Sequence, residues 1–547
     1  MSTRYLSSRG GSYDCSFESV VLQGLAPDGG LFLPHDIPKI PHDWSEEWYN
    51  WGFDELAFKI FSQYISTKEI PSEDLRQIVR RTYSRDVFRA PEVTPLVALD
   101  EKKQLYLLEL FHGNRLLDVA LQFLGNLFEY FLVRKNGTKP ESERDHLTVI
   151  GATSGDTGSA AIYGLRGKKD VSIVIMHPNS KISPIQEAQM TSVLDENVMN
   201  LAVDGSFDDC QDFVKALFGD PDIKQTHKLA AVNSINWARI LAQISYFAYS
   251  VGSLIRKSKI NSSSKVRFVV PTGNFGDVLA GYFAKRMGFP ADKFIIAVNE
   301  NDILQRFWAT GYYEKKPIHG LQSNGGFAED GVKAHEDGVK ETYSPAMDIL
   351  VSSNFERLLW FLALQVYGEG TIESKRQTAG GKVKSWLEEL KSSGGFGVEP
   401  ILLEAAKGDF ESERVSNDET IAMIAGQYSL QVPAANSDAS QGTAGVTNKG
   451  KYILDPHSAI GVAAAHRSID RAPPPETTHI ALATAHPAKF ASAVEKALSA
   501  EQDFKFADLL PEQFIGIEDL PKRKTMVKKS DGIEGLRAFI REHIPSH

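Results

Sequence analysis

Short, mostly apolar runs alternate along this chain with segments whose apolar residues return every three or four positions. Residues 105–110, 147–151, 171–176, 266–270, 294–298 and 479–483 are runs of the first kind, and 200–203 is a shorter one. A run that is apolar at nearly every position marks a strand buried on both faces. Between these runs, Ala120, Phe123, Leu124, Leu127, Phe128 and Phe131 share one helical face, and 207–218 and 278–287 carry helical patterns. Strands alternating with helices predict an α/β fold built on open, mainly parallel sheets.

The run at 266–270 leads into Pro271-Thr272-Gly273-Asn274-Phe275-Gly276-Asp277 and then a helical pattern. This is strand, tight turn, helix N-terminus. The first amide groups of a helix have no intrahelical acceptor, and the helix dipole adds positive potential there. An anion fits such a place without a cationic side chain, and no Lys or Arg lies between Pro271 and Asp277. Gly273 and Gly276 are expected to let the backbone approach the anion and to take positive φ where needed. The plain alternative is a simple connector, because short glycine motifs often occur by chance.

Two more polar turns follow strand ends: Ser154-Gly155-Asp156-Thr157-Gly158 and Thr484-Ala485-His486. Open α/β sheets bind ligands beyond the carboxyl ends of their strands. Any one of these turns could be no more than a helix cap. Three at equivalent ends predict one shared ligand cleft.

The flanks carry less chemistry. Residues 1–90 read as an N-terminal unit, broken into short elements by Gly10-Gly11, Pro27-Asp28-Gly29-Gly30 and prolines 34, 38 and 41. Trp44, Trp48, Tyr49, Trp51, Phe53 and Phe58 read as core, and Pro71-Ser72-Glu73-Asp74 as a helix start. Asp118 is placed to cap the helix that follows it. Gly380-Gly381 reads as the lead into a helix bearing Val383, Trp386, Leu387 and Leu390, with Gly394-Gly395 ending it. Ser416 and Glu419 are spaced as a capping box. The near-repeat at 329–333 and 336–340 is too short to be a structural unit. Residues 432–450 read as an exposed insertion in a core spanning 91–500, and 501–547 as a surface appendage.

Composition narrows the class. The chain has 547 residues, 24% of them charged, and a formal net charge of −10. No basic patch suggests nucleic acid. The most apolar long segment, 119–133, is interrupted by Gln122, Asn126 and Glu129 and is too short for a membrane span. Two cysteines, Cys15 and Cys210, argue for a reducing compartment rather than a disulfide framework. No secretory signal is expected, because Met1 to Gly11 lacks an apolar stretch. The expected location is the cytoplasm.

Taken together, the motifs resemble those of the threonine synthase family, pyridoxal-phosphate enzymes that make threonine from O-phosphohomoserine. The resemblance rests on the strings within 5–33, 151–158, 181–190, 233–239, 271–277, 344–349, 353–357, 455–457 and 484–489, and the long inserts suggest its fungal-type branch. It implies a fold-type-II architecture like that of tryptophan synthase β, with pyridoxal 5'-phosphate between two α/β lobes. Gly273, Asn274, Phe275, Gly276 and Asp277 would hold the cofactor phosphate, and Thr484 the pyridine nitrogen. Ser154, Asp156 and Thr157 would meet the substrate carboxylate. Lys181, Asn233, Ser234, Asn236 and Arg239 are candidates for the substrate phosphate. No metal is implied, and the oligomeric state stays open.

One segment departs from the family pattern. The Schiff-base motif, His-Gly-Pro-Thr-x-x-Phe-Lys-Asp, is replaced by His112-Gly113-Asn114-Arg115-Leu116-Leu117-Asp118. The loop is about two residues shorter, and Leu117 stands where the lysine is expected. No lysine occurs between Lys103 and Lys135, and Arg115 cannot substitute, because a guanidinium forms no ordinary imine. An abrupt mismatch between matching flanks is what a misplaced exon boundary produces. The alternatives are a non-catalytic homologue that binds the cofactor or a partner, and another fold-type-II elimination enzyme such as a serine or threonine dehydratase.

Overall fold

The apolar runs become the strands of two sheets. The computed structural model describes residues 3–546 except 89, 114–118, 154, 231–232, 262, 317–337, 433–445 and 449, with the backbone alone at 45, 156, 208, 447 and 448. In the larger sheet six strands lie in the order Phe410–Arg414, Phe294–Val298, Lys265–Pro271, Thr477–Ala483, Leu105–Glu109, Leu96–Asp100. All neighbours are parallel except the last pair. The second sheet runs Thr525–Lys528, Val198–Asp204, Val171–Pro178, Leu147–Ala152, Lys228–Ala230, parallel throughout. This is the expected α/β class with mainly parallel sheets.

Sheet order places the candidate turns. Lys265–Pro271 and Thr477–Ala483 are neighbours, with Val269 opposite Ala481. The turns after Pro271 and Ala483 therefore leave one edge side by side. The helix Val119–Asn136 is buried over most of its length and packs against Asp156–Leu165 and Trp237–Arg256. Trp237–Arg256 has 17 of its 20 residues buried and forms a wall of the molecule's interior.

Three expectations need correction. Gly380-Gly381 does not precede its helix but lies inside it, since one helix runs Ile372–Ser393. A Cβ on Gly380 would sit 3.0 Å from Gly10 N, so this glycine serves close packing of the N-terminal loop on the helix. Residues from 501 on do more than coat the surface. Thr525–Lys528 is a strand of the second sheet, and Gly532–His543 buries Leu536 and Ile540. Of the aromatic cluster, Trp44, Trp48, Phe53 and Phe58 are core, whereas Tyr49 and Trp51 are only half-buried.

The Ser416 capping box is present, with both reciprocal bonds formed. The Asp118 cap, the 329–333 copy of the near-repeat and most of the 432–450 insertion lie outside the described residues. Among the described residues no helix is long and apolar enough to cross a membrane.

Candidate active site

The three polar turns meet. A cavity of about 200 Å³ is lined by Thr157, Asp277 and Thr484 together, one residue from each turn. Arg239, Gln243 and Tyr246 of the long buried helix, with His457 and Lys489, give it a polar wall, and Leu110, Val119, Leu121 and Ala346 an apolar one.

The turn after Pro271 has the build of an anion cradle. The helix Gly276–Met287 starts here, and its N-cap is Phe275 in the left-handed region at φ 63°. Positive φ therefore falls on a bulky residue and not on Gly273 or Gly276. Such a conformation costs of order 1–3 kcal/mol and persists only where the surroundings hold it. The ring of Phe275 is held among Trp308, Phe355 and Phe410, with centroids 6.2, 5.4 and 6.1 Å away. Among the described residues, the amide groups of Asn274, Phe275 and Gly276 find no acceptor. Gly273 is a glycine because of close approach: a Cβ there would lie 2.8 Å from Ala346 O. At Gly276 a Cβ would meet nothing nearer than 3.5 Å.

Residues 352–357 form the wall behind the cradle. Ser352 Oγ donates to Gly273 O at 2.6 Å, and Ser353 Oγ to Asn274 Oδ1 at 3.0 Å. Asn354 donates to Asn274 O from both its backbone and its side chain, each at 3.0 Å. Arg357 is fully buried and donates to Phe32 O, Ile235 O and Asn354 Oδ1. One guanidinium thus ties the N-terminal unit, the entry to the long helix and the cradle wall together. Burial pulls its pKa down.

The Ala346 turn is fixed from two sides. Asp348 accepts from Thr342 Oγ1, Asn299 Nδ2 and Asn301 Nδ2 at 2.6, 2.8 and 3.0 Å, although burial pushes its carboxyl pKa up. Ala346 N donates to His457 Nε2 at 3.3 Å, and His457 Nδ1 faces Asp455 Oδ1 at 2.9 Å. An acceptor Nε2 requires the proton on Nδ1, so these partners fix the neutral tautomer.

Thr484 enters from the adjacent strand end and is half-buried. Just beyond it, His486 Nδ1 accepts from Ala488 N at 3.1 Å. Burial, then the nearby His112 and Lys489, hold His486 neutral. His112 lies 2.7 Å from the fully buried Glu109, whose other oxygen accepts from Tyr452.

The remaining sequence candidates separate. Arg239 and Thr157 line the cavity. Asn233 is half-buried with an Oδ1 that accepts no hydrogen bond among the described residues, and the same holds of Gln243 Oε1. Ser234 offers its carbonyl to Asn354 Nδ2. Asn236 is engaged elsewhere: its Oδ1 caps the helix Trp237–Arg256 and its Nδ2 donates to Val21 O. Lys181 is exposed and absent from the lining. Asp277 lines the cavity, and its carboxylate accepts from Tyr246 OH at 2.5 Å, so only its amide end suits an anion. Ser154, the Asp156 side chain and Leu117 lie outside the described residues. Sequence reasoning did not single out Gln243, Tyr246, Ala346, His457 or Lys489 as lining residues. Ala346, His457 and Lys489 fall within the family-like strings, while nothing in the local pattern points Gln243 or Tyr246 inward.

Comparison with known proteins bears on the whole chain. Residues 4–83 match the family model described as threonine synthase N terminus, and 458–540 the one described as threonine synthase, C-terminal. Threonine synthase of Schizosaccharomyces pombe is 53% identical, covering 98% of this chain and 97% of that protein. The chain belongs to the threonine synthase family. The crystal structure of threonine synthase from yeast superimposes with a TM-score of 0.87 at 48% identity, covering 99% of this chain and 98% of that one. A PLP-bound threonine synthase from Brucella melitensis gives 0.80 at 35% identity, covering 99% of each. Identity is higher to the fungal members of the family than to this bacterial one.

Proposed function

We propose that this protein binds pyridoxal 5'-phosphate in the cavity and acts on O-phospho-L-homoserine, releasing phosphate and adding water to give L-threonine. The observation that carries the reading is the cradle at 274–276, whose three acceptorless amides sit at the N-terminus of the helix whose Asp277 lines the cavity with Thr484 and Arg239. A phosphate ester of a flat ring suits it: the amides would hold the anion, and Thr484 would offer a hydroxyl to the ring. Pyridoxal phosphate, when bound, supplies an electron sink for charge developing at the substrate α-carbon.

The chain's own residues then bind and orient. The amides of Asn274, Phe275 and Gly276 hold the cofactor phosphate. Thr484 would offer the ring nitrogen a neutral hydroxyl. The 154–157 turn takes the substrate carboxylate, and Asn233, Ser234 and Arg239 take its phosphate. Asn236 and Lys181 drop out of this set for the reasons given above.

One requirement is not met. The family motif supplies a lysine from the loop after His112, and this chain has Leu117 there with no lysine from 104 to 134. The phosphate cradle fits the cofactor, while the amine expected beside it does not exist in that segment. This favours, as a second reading, a homologue that binds the cofactor without turnover. Cofactor titration together with a phosphate-release assay separates the two.

We further infer an N-terminal unit to about residue 90 ahead of a catalytic core. The C-terminal family match runs across residue 501, and the strand Thr525–Lys528 joins the second sheet, so 501–547 is best counted with that core. The two described cysteines are free, in keeping with a reducing compartment such as the cytoplasm.

A further inference from the structure

A larger cavity, of about 530 Å³, lies on the other side of the cradle wall. Its floor is apolar, with Leu31, Ile235, Val351, Phe355, Leu359 and Leu390. Its rim carries Arg9, Lys315, Lys384 and Lys391 against Asp28, Glu356 and Glu388. Two of these acids are already engaged. Asp28 accepts from Ser7 Oγ and from the amides of Gly11 and Gly30. Glu356 accepts from Arg9 Nε and Nη2, at 3.0 and 2.8 Å, and from Ser8 Oγ. Among the described residues Lys315, Lys384 and Lys391 have no acidic partner, and Glu388 is the one acid of the rim left uncommitted. The cavity therefore presents an apolar floor under a net positive rim. Its size falls in the range of small-molecule sites.

The wall between the two cavities is one stretch of chain. Ser352 and Ser353 line the larger cavity, and the same two hydroxyls donate to Gly273 O and Asn274 Oδ1 of the cradle. Tyr313, also on the cavity, accepts from Ser352 N at 2.7 Å. A ligand that shifts Ser352 or Ser353 moves the acceptors and the backbone that orient the three cradle amides.

We propose that this cavity is a second ligand site, for a small organic anion with an apolar body, and that its occupant is coupled to the phosphate cradle through residues 352–354. The anionic group, carboxylate, sulfonate or phosphate, lies among Lys315, Lys384 and Lys391, and the apolar body lies on Phe355, Leu359 and Leu390. Coupling of this kind is a free-energy link between two sites and requires a shared element that both can bias. The segment from Ser352 to Asn354 is that element. Neither the position nor the charge of the site depends on the reaction proposed above.

The test uses the full chain with excess pyridoxal phosphate and anilinonaphthalene sulfonate as the probe. Calorimetric titration should show a saturable site that the neutral phenylnaphthylamine does not fill, and the Lys384→Ala/Lys391→Ala double variant should bind the sulfonate at least ~10-fold more weakly. Both lysines are exposed, so the variant is expected to fold, which circular dichroism checks. Hydrogen exchange of peptides covering 270–280 should slow several-fold when the probe is added. That slowing should be lost in Ser353→Ala. Equal binding by the double variant, or by the neutral analogue, overturns the site. Unchanged exchange at 270–280 overturns the coupling.

Discussion

The side-chain amide of Asn354 lies on the carbonyl of Asn274, 3.0 Å away, while its other end receives the guanidinium of Arg357. A second bond from the same amide reaches Ser234 O at 3.1 Å. Asn354 is fully buried, so nothing else can take over these bonds. Replacing it with Ala leaves buried partners unsatisfied, including one at a cation, which costs about 2–4 kcal/mol. Urea unfolding of Asn354→Ala should show that loss, and pyridoxal phosphate titration a fall in affinity of roughly tenfold, about 1.4 kcal/mol. A stability loss with unchanged affinity would mean that the wall does not orient the cradle.

The two cradle glycines should respond differently. At Gly273 a Cβ meets Ala346 O at 2.8 Å, and backbone cannot step aside as a side chain can. At Gly276 the nearest atoms are Gln243 Oε1 and Asn354 Nδ2, at 3.5 and 3.6 Å. Gly273→Ala should therefore weaken cofactor binding more than Gly276→Ala. Lys285→Ala should change it least, because Lys285 pairs with Asp409 and donates to Asp292 O away from the cradle. Cofactor titration into the three apoproteins checks the order, and a dominant Lys285 effect would contradict a backbone cradle.

A buried histidine gives the fold a pH dependence. Burial, then the charge of Arg267, lowers the pKa of His479 to about 4, and its Nε2 lies 3.0 Å from Ser468 Oγ. Its unfolded value is near 6.5, so below that pH the unfolded chain binds the proton first. The contribution is fully present above pH 6.5 and is lost as pH falls toward 4. Between pH 7.5 and 5 the loss is about 2 kcal/mol for this group. The difference in unfolding free energy between the wild type and His479→Gln, taken at both pH values, should change by that amount. A difference independent of pH would show that His479 titrates alike in the folded and unfolded chain, contrary to the burial argument.

Much of the fold could be read from the chain because buried parallel strands are nearly unbroken apolar runs. Phe294–Val298 is such a run, and its bounds agree with expectation. The strand Phe410–Arg414 hid itself: its Phe-Glu-Ser-Glu-Arg is polar because its carboxylates face Arg267, Lys293, Arg467 and Arg471. Tertiary partners, not propensity, make it a strand. Trp237–Arg256 is not among the helices expected from the sequence, although it is 20 residues long and 17 of them are buried. Gly380 misled because its reason is Gly10, 370 residues earlier in the chain. The same limit governs the site. The strand-end turns declared themselves, but the left-handed Phe275, the inward-facing Gln243 and Tyr246, and the engaged side chain of Asn236 depend on contacts that no local pattern encodes.

The chain joins its strand-end turns at one cavity, and its sequence has no lysine between Lys103 and Lys135, where the family motif supplies an amine. That amine would anchor the cofactor and move protons at the substrate. Loss of general acid–base catalysis alone costs roughly 10²–10⁴-fold, about 3–5.5 kcal/mol of barrier, and loss of the covalent route adds to that. The decisive measurement is phosphate release from O-phosphohomoserine by two proteins, the chain as it stands and one with the family-like loop of two extra residues and a lysine replacing Leu117. Borohydride reduction with pyridoxal phosphate and peptide mapping accompanies both. The expected result is vanishing turnover and no labelled lysine in the first, with both restored in the second. Robust turnover or a labelled lysine in the unrepaired chain, Lys489 in the cavity wall included, would contradict it.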